Sequence, residues 1–549
     1  MTIGDTFGDT IAEPVRFQDE GWWRSTTFLD DLAAAARDRG DHPALIAHDE
    51  AGNATALSYT ELAGTVERFA SALRELGVGR GDVVACYLPN LWLLAPLYLA
   101  CHRVGAVSSP IFPVVGSREL GHVLEVTSAK ICVTVDKYGE HDCAALLAEA
   151  APETLVHRVV VGDAVATGAL DFDQFFVRTP WEERTPVPEA DRLGPDEPAQ
   201  LLHTSGTTGK MKLVVHSQNT LYAAVRAVSE PHRLTPDDVI SLPGIGTAMA
   251  GLTYGLYLPL FLGATGVVQK QTNDMDLLRD LIEAHRVSWL YTPPIFLVNL
   301  LASQRKEARD TSSLKQIVTG SAPVHPQLSA DVREVFDVEL HALWGMTENG
   351  AVTVTRPDDP PGWAAHSDGS PTPWMDVRID AEPGEEAGRL LVRGASQCLG
   401  YLGQREVYDS CVDADGWFDT GDLARPDGRG GIRIVGRRAD IITRPDGMQV
   451  STLEVESLLQ RHPGITEVVL VGYPHPEIPG GSKVCAVVVP VFPVLSLAEL
   501  HAYLASEGVA KAFWPDRVQF VGMLPKNSLG KVLRRPLRER LELAAAPRP

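Results

Sequence analysis

The chain has 549 residues, more than one ordinary core accommodates, so two or more domains are expected. Apolar residues make up 44% and charged residues 22%, the balance of a globular rather than a fibrous or unstructured chain. A formal net charge of -22 argues against a nucleic-acid partner or an anionic membrane surface.

The opening MTIGDTFGDTIAEP is acidic and lacks the basic and apolar regions of a signal peptide. Residues 59–76 place Leu62, Val66, Phe69, Leu73 and Leu76 at helical spacing and predict an amphipathic helix. A buried strand follows over 82–88, then a helix over 91–104, an extended segment over 106–111, a helix over 120–127 and a strand over 130–135. Residues 164–200, with several Pro and acidic residues, read as a loose surface excursion. A helix over 277–286 and a strand over 287–291 repeat the alternation, which predicts α/β layers with parallel strands. The most apolar stretches, 91–101 and 256–268, are interrupted by Pro96, Pro259 and Gly263. Each is shorter than the ~18 residues a membrane span needs, so no span is expected. A turn over 427–431 and a short strand over 432–435 precede a boundary near 436–440. Beyond it, a helix over 453–460, strands over 465–473 and 483–491 and a helix over 495–506 predict one small compact domain. The seven scattered cysteines form no CxxC pair, which excludes a disulfide framework or zinc site and suits a reducing, cytoplasmic compartment.

The segment with most chemistry is Thr204-Ser205-Gly206-Thr207-Thr208-Gly209-Lys210-Met211-Lys212. Glycines let backbone approach a ligand, consecutive N–H groups can form an anion-binding nest, and hydroxyls and an ammonium add donors. Such a loop suits a polyphosphate. Met211 stands where a Walker loop requires Ser or Thr, so it is a phosphate loop of another kind. Four further segments stand out: Gly320-Ser321-Ala322-Pro323, Trp344-Gly345-Met346-Thr347-Glu348, Trp417-Phe418-Asp419-Thr420-Gly421-Asp422 with Gly436-Arg437, and Pro525-Lys526-Asn527-Ser528-Leu529-Gly530-Lys531. Taken singly, Thr347-Glu348 is as easily a strand-end turn and Lys531 a solvated face, whereas an acidic turn explains Asp419–Asp422 but not the aromatic pair before it.

Together and in this order they resemble the adenylate-forming superfamily of acyl-CoA synthetases, adenylation domains and luciferases, over about residues 40–535. The resemblance implies a large α/β N-terminal domain over 1–436, of two sheet–helix subdomains plus a β-barrel-like part, and a small α+β lid over 437–549 that rotates about a hinge near 437–440. It also implies that ATP is held by Thr204, Ser205, Gly206, Thr207, Thr208, Gly209, Lys212, Gly320, Ser321, Ala322, Trp344, Gly345 and Met346, and that Asp422 and Arg437 hold the ribose. Thr347 would donate to the α-phosphate, Glu348 and Thr204 would hold Mg²⁺, and Lys531 would bridge the attacking oxygen and the α-phosphate. His203, Gly244, Gly246, Met249 and Pro323 are the residues expected to line the substrate pocket.

The implied reaction activates a small carboxylic acid as an acyl-adenylate and passes it to coenzyme A. Three departures bear on the details. Met211 and Leu213 flank Lys212 where the family has Pro and Gly, and the segment 243–247 lacks the family's aromatic-His pair. Arg444-Pro445-Asp446-Gly447-Met448 replaces a Gly-Gly pair at the loop that helps form the coenzyme A channel. A carrier protein is therefore a second acceptor, and activation of nitrite for delivery to an aryl amine a third reading. No oligomeric state follows from the residues; a homodimer is the commonest symmetric assembly.

Overall fold

The computed structural model describes residues 14–204, 212–243, 246–322, 324–446, 449–450, 452–475, 482–491, 495–526 and 532–545. The chain forms two compact units: residues 1–377 with 392–418, and residues 378–391 with 419–549.

The first unit is built on two large sheets. One has nine strands, in the spatial order Ser370–Pro371, Gly350–Val354, Leu340–Met346, Gln316–Gly320, Trp289–Tyr291, Val239–Ser241, Thr265–Gln269, Pro43–His48, Ala54–Ser58. The other has eight, in the order Gly400–Tyr401, Lys212–Ser217, Pro198–Thr204, Val107–Ile111, Val83–Tyr87, Ile131–Val135, His157–Val161, Leu170–Asp171. The central strands of both pair in parallel, as the alternating pattern predicts, with antiparallel pairs at the ends that carry Gly400–Tyr401 and Ser370–Pro371. Strands buried on both faces read as continuous apolar runs, and Val83–Tyr87 is buried at every position.

The helix Tyr59–Glu75 shows why these elements form where they do. Ser58 caps its start, accepting from the Glu61 N–H while Glu61 reaches back to the Ser58 N–H. Leu62, Val66, Phe69 and Leu73 then form its buried stripe. The helix Leu94–Val104 is buried all round and ends at Gly105, whose φ of 81° only glycine adopts without strain. The segment 164–200 is less loose than its composition suggests. Phe172 and Phe176 are fully buried and stack at 4.9 Å, with Phe69 edge-on to both. Aromatic burial anchors what local periodicity cannot register.

The second unit contains the strands Phe418–Pro426 and Ile432–Arg437, paired antiparallel, and a three-stranded sheet of Ile465–Pro474, Ser482–Pro490 and Arg517–Phe520. Helices Thr452–Leu459 and Leu497–Ser506 pack on the apolar core of this sheet. The final helix, Arg534–Ala545, carries a buried cation: Arg534 Nη2 donates to both Glu456 oxygens at 2.7 and 2.6 Å, and Nη1 donates to Asp440 Oδ2 at 3.1 Å. Burial pushes the Glu456 carboxyl up, and the Arg534 charge opposes that rise. The ion pair so fastens 438–440, the expected hinge, to the C-terminal helix.

Candidate nucleotide-binding site

The strands Pro198–Thr204 and Lys212–Ser217 form an antiparallel pair in which Thr204 faces Lys212. They hold the two ends of the phosphate loop; Ser205, Gly206, Thr207, Thr208 and Gly209 themselves lie outside the described residues. Lys212 Nζ sits 4.7 Å from the centroid of the Tyr401 ring and 3.4 Å from its hydroxyl. The same hydroxyl donates to Glu348 Oε1 at 2.7 Å. Both Tyr401 and Glu348 are buried, at 1% and 5% exposure. Burial first, and then the Glu348 carboxylate, push the Tyr401 phenol far above its ordinary range, so it remains a neutral donor at any working pH. Lys212, Tyr401 and Glu348 thus form one row of ammonium, phenol and carboxylate.

The backbone beside Glu348 is fixed from the other sheet. His216 is fully buried, and its Nε2 lies 2.7 Å from the Thr347 carbonyl oxygen. A carbonyl only accepts, so Nε2 carries the proton and Nδ1 faces the Thr220 hydroxyl at 2.9 Å. Burial lowers the His216 pKa to about 4, which keeps the ring neutral. The Cys398 N–H donates to the Glu348 carbonyl at 2.7 Å, tying the segment that leads to Tyr401 to the same motif.

The strand ending at this motif runs further than its apolar pattern suggests. It covers Leu340–Met346, so Trp344, Gly345 and Met346 belong to the strand rather than to a following turn. Gly345 is required there: a Cβ would stand 2.0 Å from the Gly350 carbonyl oxygen. One strand over, a Cβ on Gly320 would meet the Leu343 carbonyl oxygen at 2.6 Å. Ser321 then turns at a φ of 71°, left-handed for a non-glycine residue, and Ala322 follows it.

The expected pocket residues are placed as follows. His203 lies beside Thr204, with Nε2 3.4 Å from Ser109 Oγ, and burial lowers its pKa to about 4. Met249 opens a helix against the motif hairpin, since a Cβ on Gly350 would come within 3.2 Å of Met249 Cε. The Gly246 N–H donates to Asn90 Oδ1 at 2.7 Å. Gly244, Pro323 and Lys531 lie outside the described residues.

Asp422 and Arg437 belong to the second unit, where they are cross-strand partners. Arg437 Nε lies 2.9 Å from Asp422 Oδ1, and Arg438 Nη1 donates to Asp419 Oδ2 at 2.9 Å. Residues 344–348 and Lys212 therefore meet within one unit, and the ribose pair forms in the other. Two participants escape the sequence reading, Tyr401 and His216. Each sits in an apolar strand, LGYLG and LVVHS, where an isolated polar residue was the available signal.

A magnesium ion is compatible with this donor set. Glu348 Oε2 has no partner among the described residues, and no cluster of three or more His, Cys, Asp or Glu able to hold a metal is found there. A single carboxylate completed by phosphate oxygens and water is the set Mg²⁺ prefers.

In the first unit a phenol thus links an ammonium and a carboxylate at the root of the Ser/Thr/Gly loop, and an Asp–Arg pair stands in the second. The chain belongs to the AMP-binding enzyme family, whose model matches residues 32–402 and whose C-terminal-domain model matches 454–531. Within that family it is an adenylate-forming enzyme, an AMP-forming acid–thiol ligase. It is 32% identical to a salicyl-AMP ligase / salicyl-S-ArCP synthetase of Mycobacterium tuberculosis, over 97% of this chain and 94% of that one. It is 28% identical to a medium-chain fatty-acid–CoA ligase of Escherichia coli, over 95% and 92%. The ATP-bound structure of an RpMatB–BxBclM chimera superposes with a TM-score of 0.80 at 27% identity, covering 94% of this chain and all of that one. The large N-terminal and small C-terminal α/β arrangement is that of these structures. No described helix is long and apolar enough to cross a membrane.

Proposed function

We propose that the chain is an ATP-dependent carboxylate:CoA ligase that works through an acyl-adenylate. The observation that carries this reading is the Lys212–Tyr401–Glu348 row at the root of the phosphate loop. Lys212 and the 204–209 backbone take the triphosphate, and the Thr347 hydroxyl meets the α-phosphate. Glu348 would hold Mg²⁺, which would supply charge neutralisation on the phosphate oxygens. Asp422 and Arg437 orient the ribose. Lys531 brings its ammonium to the attacking carboxylate oxygen. That oxygen forms a bond to the α-phosphorus as the bond to pyrophosphate breaks. Charge spreads over phosphate oxygens, so positioned cations rather than covalent catalysis do the chemistry. The 437–440 hinge then permits a second pose, in which the coenzyme A thiol loses its proton, attacks the acyl carbon and displaces AMP.

A carrier-protein pantetheine as acceptor is the second reading. The 32% identity to a salicyl-S-ArCP synthetase over nearly the whole chain favours it, as does the altered segment 444–448.

The test is pyrophosphate release from Mg·ATP across aliphatic, alicyclic and aromatic acids, with and without coenzyme A. Acid-dependent release that turns over repeatedly only with coenzyme A supports the ligase. Acid-dependent release indifferent to coenzyme A moves the acceptor to a carrier protein. Release with nitrite and an aryl amine but with no acid refutes both. Lys531→Ala abolishes turnover while leaving the far-UV circular dichroism unchanged.

A further inference from the structure

Within the first unit, behind Gly246, lies a cavity of about 40 Å³. About 10–15 Å³ of such space holds one water, so it accepts roughly three groups of that size. Its walls come from three directions: Leu45 and Val268 from neighbouring parallel strands, Leu94 from the first residue of a buried helix with Leu91 just before it, and Leu256 from the segment that begins at Met249. No charged side chain lines it. The amide of Asn90 is already engaged, with Oδ1 on the Gly246 N–H at 2.7 Å and Nδ2 on the Gln269 carbonyl at 3.3 Å.

One segment, 246–257, reaches both this cavity and the motif hairpin of the nucleotide site. Met249 presses on Gly350 of the motif hairpin, while Gly246, Gly251 and Gly255 of the same segment line the cavity. At 253–257 the segment takes a π-helical turn, a rare form concentrated at functional sites. A Cβ placed on Gly255 would find its nearest neighbour, Leu242 Cβ, only at 3.9 Å. The space is therefore kept open by the absence of a side chain.

We infer that this cavity is the compartment for the far end of the activated acid, and that Gly255 sets its depth. The inference rests on the carboxylate-activating reading above. It assigns the substrate class: a carboxylic acid ending in a short, uncharged, apolar group of about three carbons. Acids ending in a second carboxylate or an amine are rejected, because a charge entering an apolar cavity finds no partner.

The experiment measures pyrophosphate-release kcat/KM for straight-chain alkanoates and for 4-alkylbenzoates of increasing tail length, on the full chain and on two variants. Gly255→Leu fills the cavity and shifts the preferred tail about two to three carbons shorter. Leu94→Ala enlarges it and shifts the preference longer. Each methylene gained or lost in an apolar pocket is worth about 10-fold or more, so the ratio between long and short acids changes at least that much, in opposite directions. A variant that merely folds poorly lowers all acids alike. Ratios between long and short acids unchanged in both variants overturn the inference while leaving the ligase reading in place. Wild-type protein that releases no pyrophosphate with any acid overturns the ligase reading itself.

Discussion

Tyr401→Phe removes one oxygen from the centre of the site and little else. The phenylalanine ring remains beneath Lys212 and edge-on to Tyr408, which lies 5.4 Å away, so packing and the cation–π contact persist. What disappears is the 2.7 Å hydrogen bond to Glu348, a carboxylate at 5% exposure, together with the long 3.4 Å contact from Lys212 Nζ. A hydrogen bond to a charged group contributes about 1.5–3 kcal/mol, and the buried carboxylate oxygen loses its protein donor as well. The expected cost to the first unit is about 2 kcal/mol, read from the urea midpoint by circular dichroism at constant m-value. The cost depends on the charge of Glu348, so it falls by about 1 kcal/mol or more in a Glu348→Gln background. Mg²⁺ dependence of pyrophosphate release moves with it, since the freed carboxylate is no longer held in place. A loss below about 0.5 kcal/mol, or the same loss in both backgrounds, refutes the account of Tyr401 as the residue that positions Glu348.

Gly345→Ala forces a Cβ against the Gly350 carbonyl oxygen, so the hairpin must open; a loss of at least about 1–3 kcal/mol in chemical denaturation and a larger loss in adenylation are expected. Tyr98→Phe does the reverse, because the Tyr98 hydroxyl is buried without a partner among the described residues; stability is unchanged or rises by up to about 1 kcal/mol in the same assay. Burial holds His102, His203, His216 and His341 at about 4 and His232 at about 3, all below the ordinary histidine value. The unfolded chain therefore binds more protons between about pH 6.5 and 4, so stability is full above about 6.5 and falls as the pH drops through that window. Urea midpoints across pH 4.5–7.5, roughly, that stay flat or rise on acidification refute this.

The architecture was legible because helix stripes and buried strands are local signals. The predicted helix over 59–76 is observed as Tyr59–Glu75, and the strand over 130–135 as Ile131–Val135. Asp422 and Arg437 were named in the sequence as two separate ribose contacts; the structure shows them as cross-strand partners, a pairing set by one hairpin register. Tyr401 was not. Its partners Lys212 and Glu348 are 189 and 53 residues away, and only the sheet's edge strand brings them together. His216 is similar, 131 residues from the Thr347 carbonyl it fixes. The excursion at 164–200 misled for a third reason, since its Pro and acidic residues mask the two phenylalanines that bind it to the core.

The Arg534 ion pair has a consequence for biosynthesis. Glu456 and Asp440 leave the ribosome 78 and 94 residues before the cation that neutralises them. Removing one partner of a buried pair typically costs about 3–5 kcal/mol, so the two carboxylates are not held in place until residue 534 has been translated. The first unit, residues 1–377 with 392–418, is by then a finished stretch of chain, free to fold during synthesis. Nascent protein thus passes through a stage in which the first unit can fold while the second waits for Arg534, and a truncation before residue 534 is expected to leave it there.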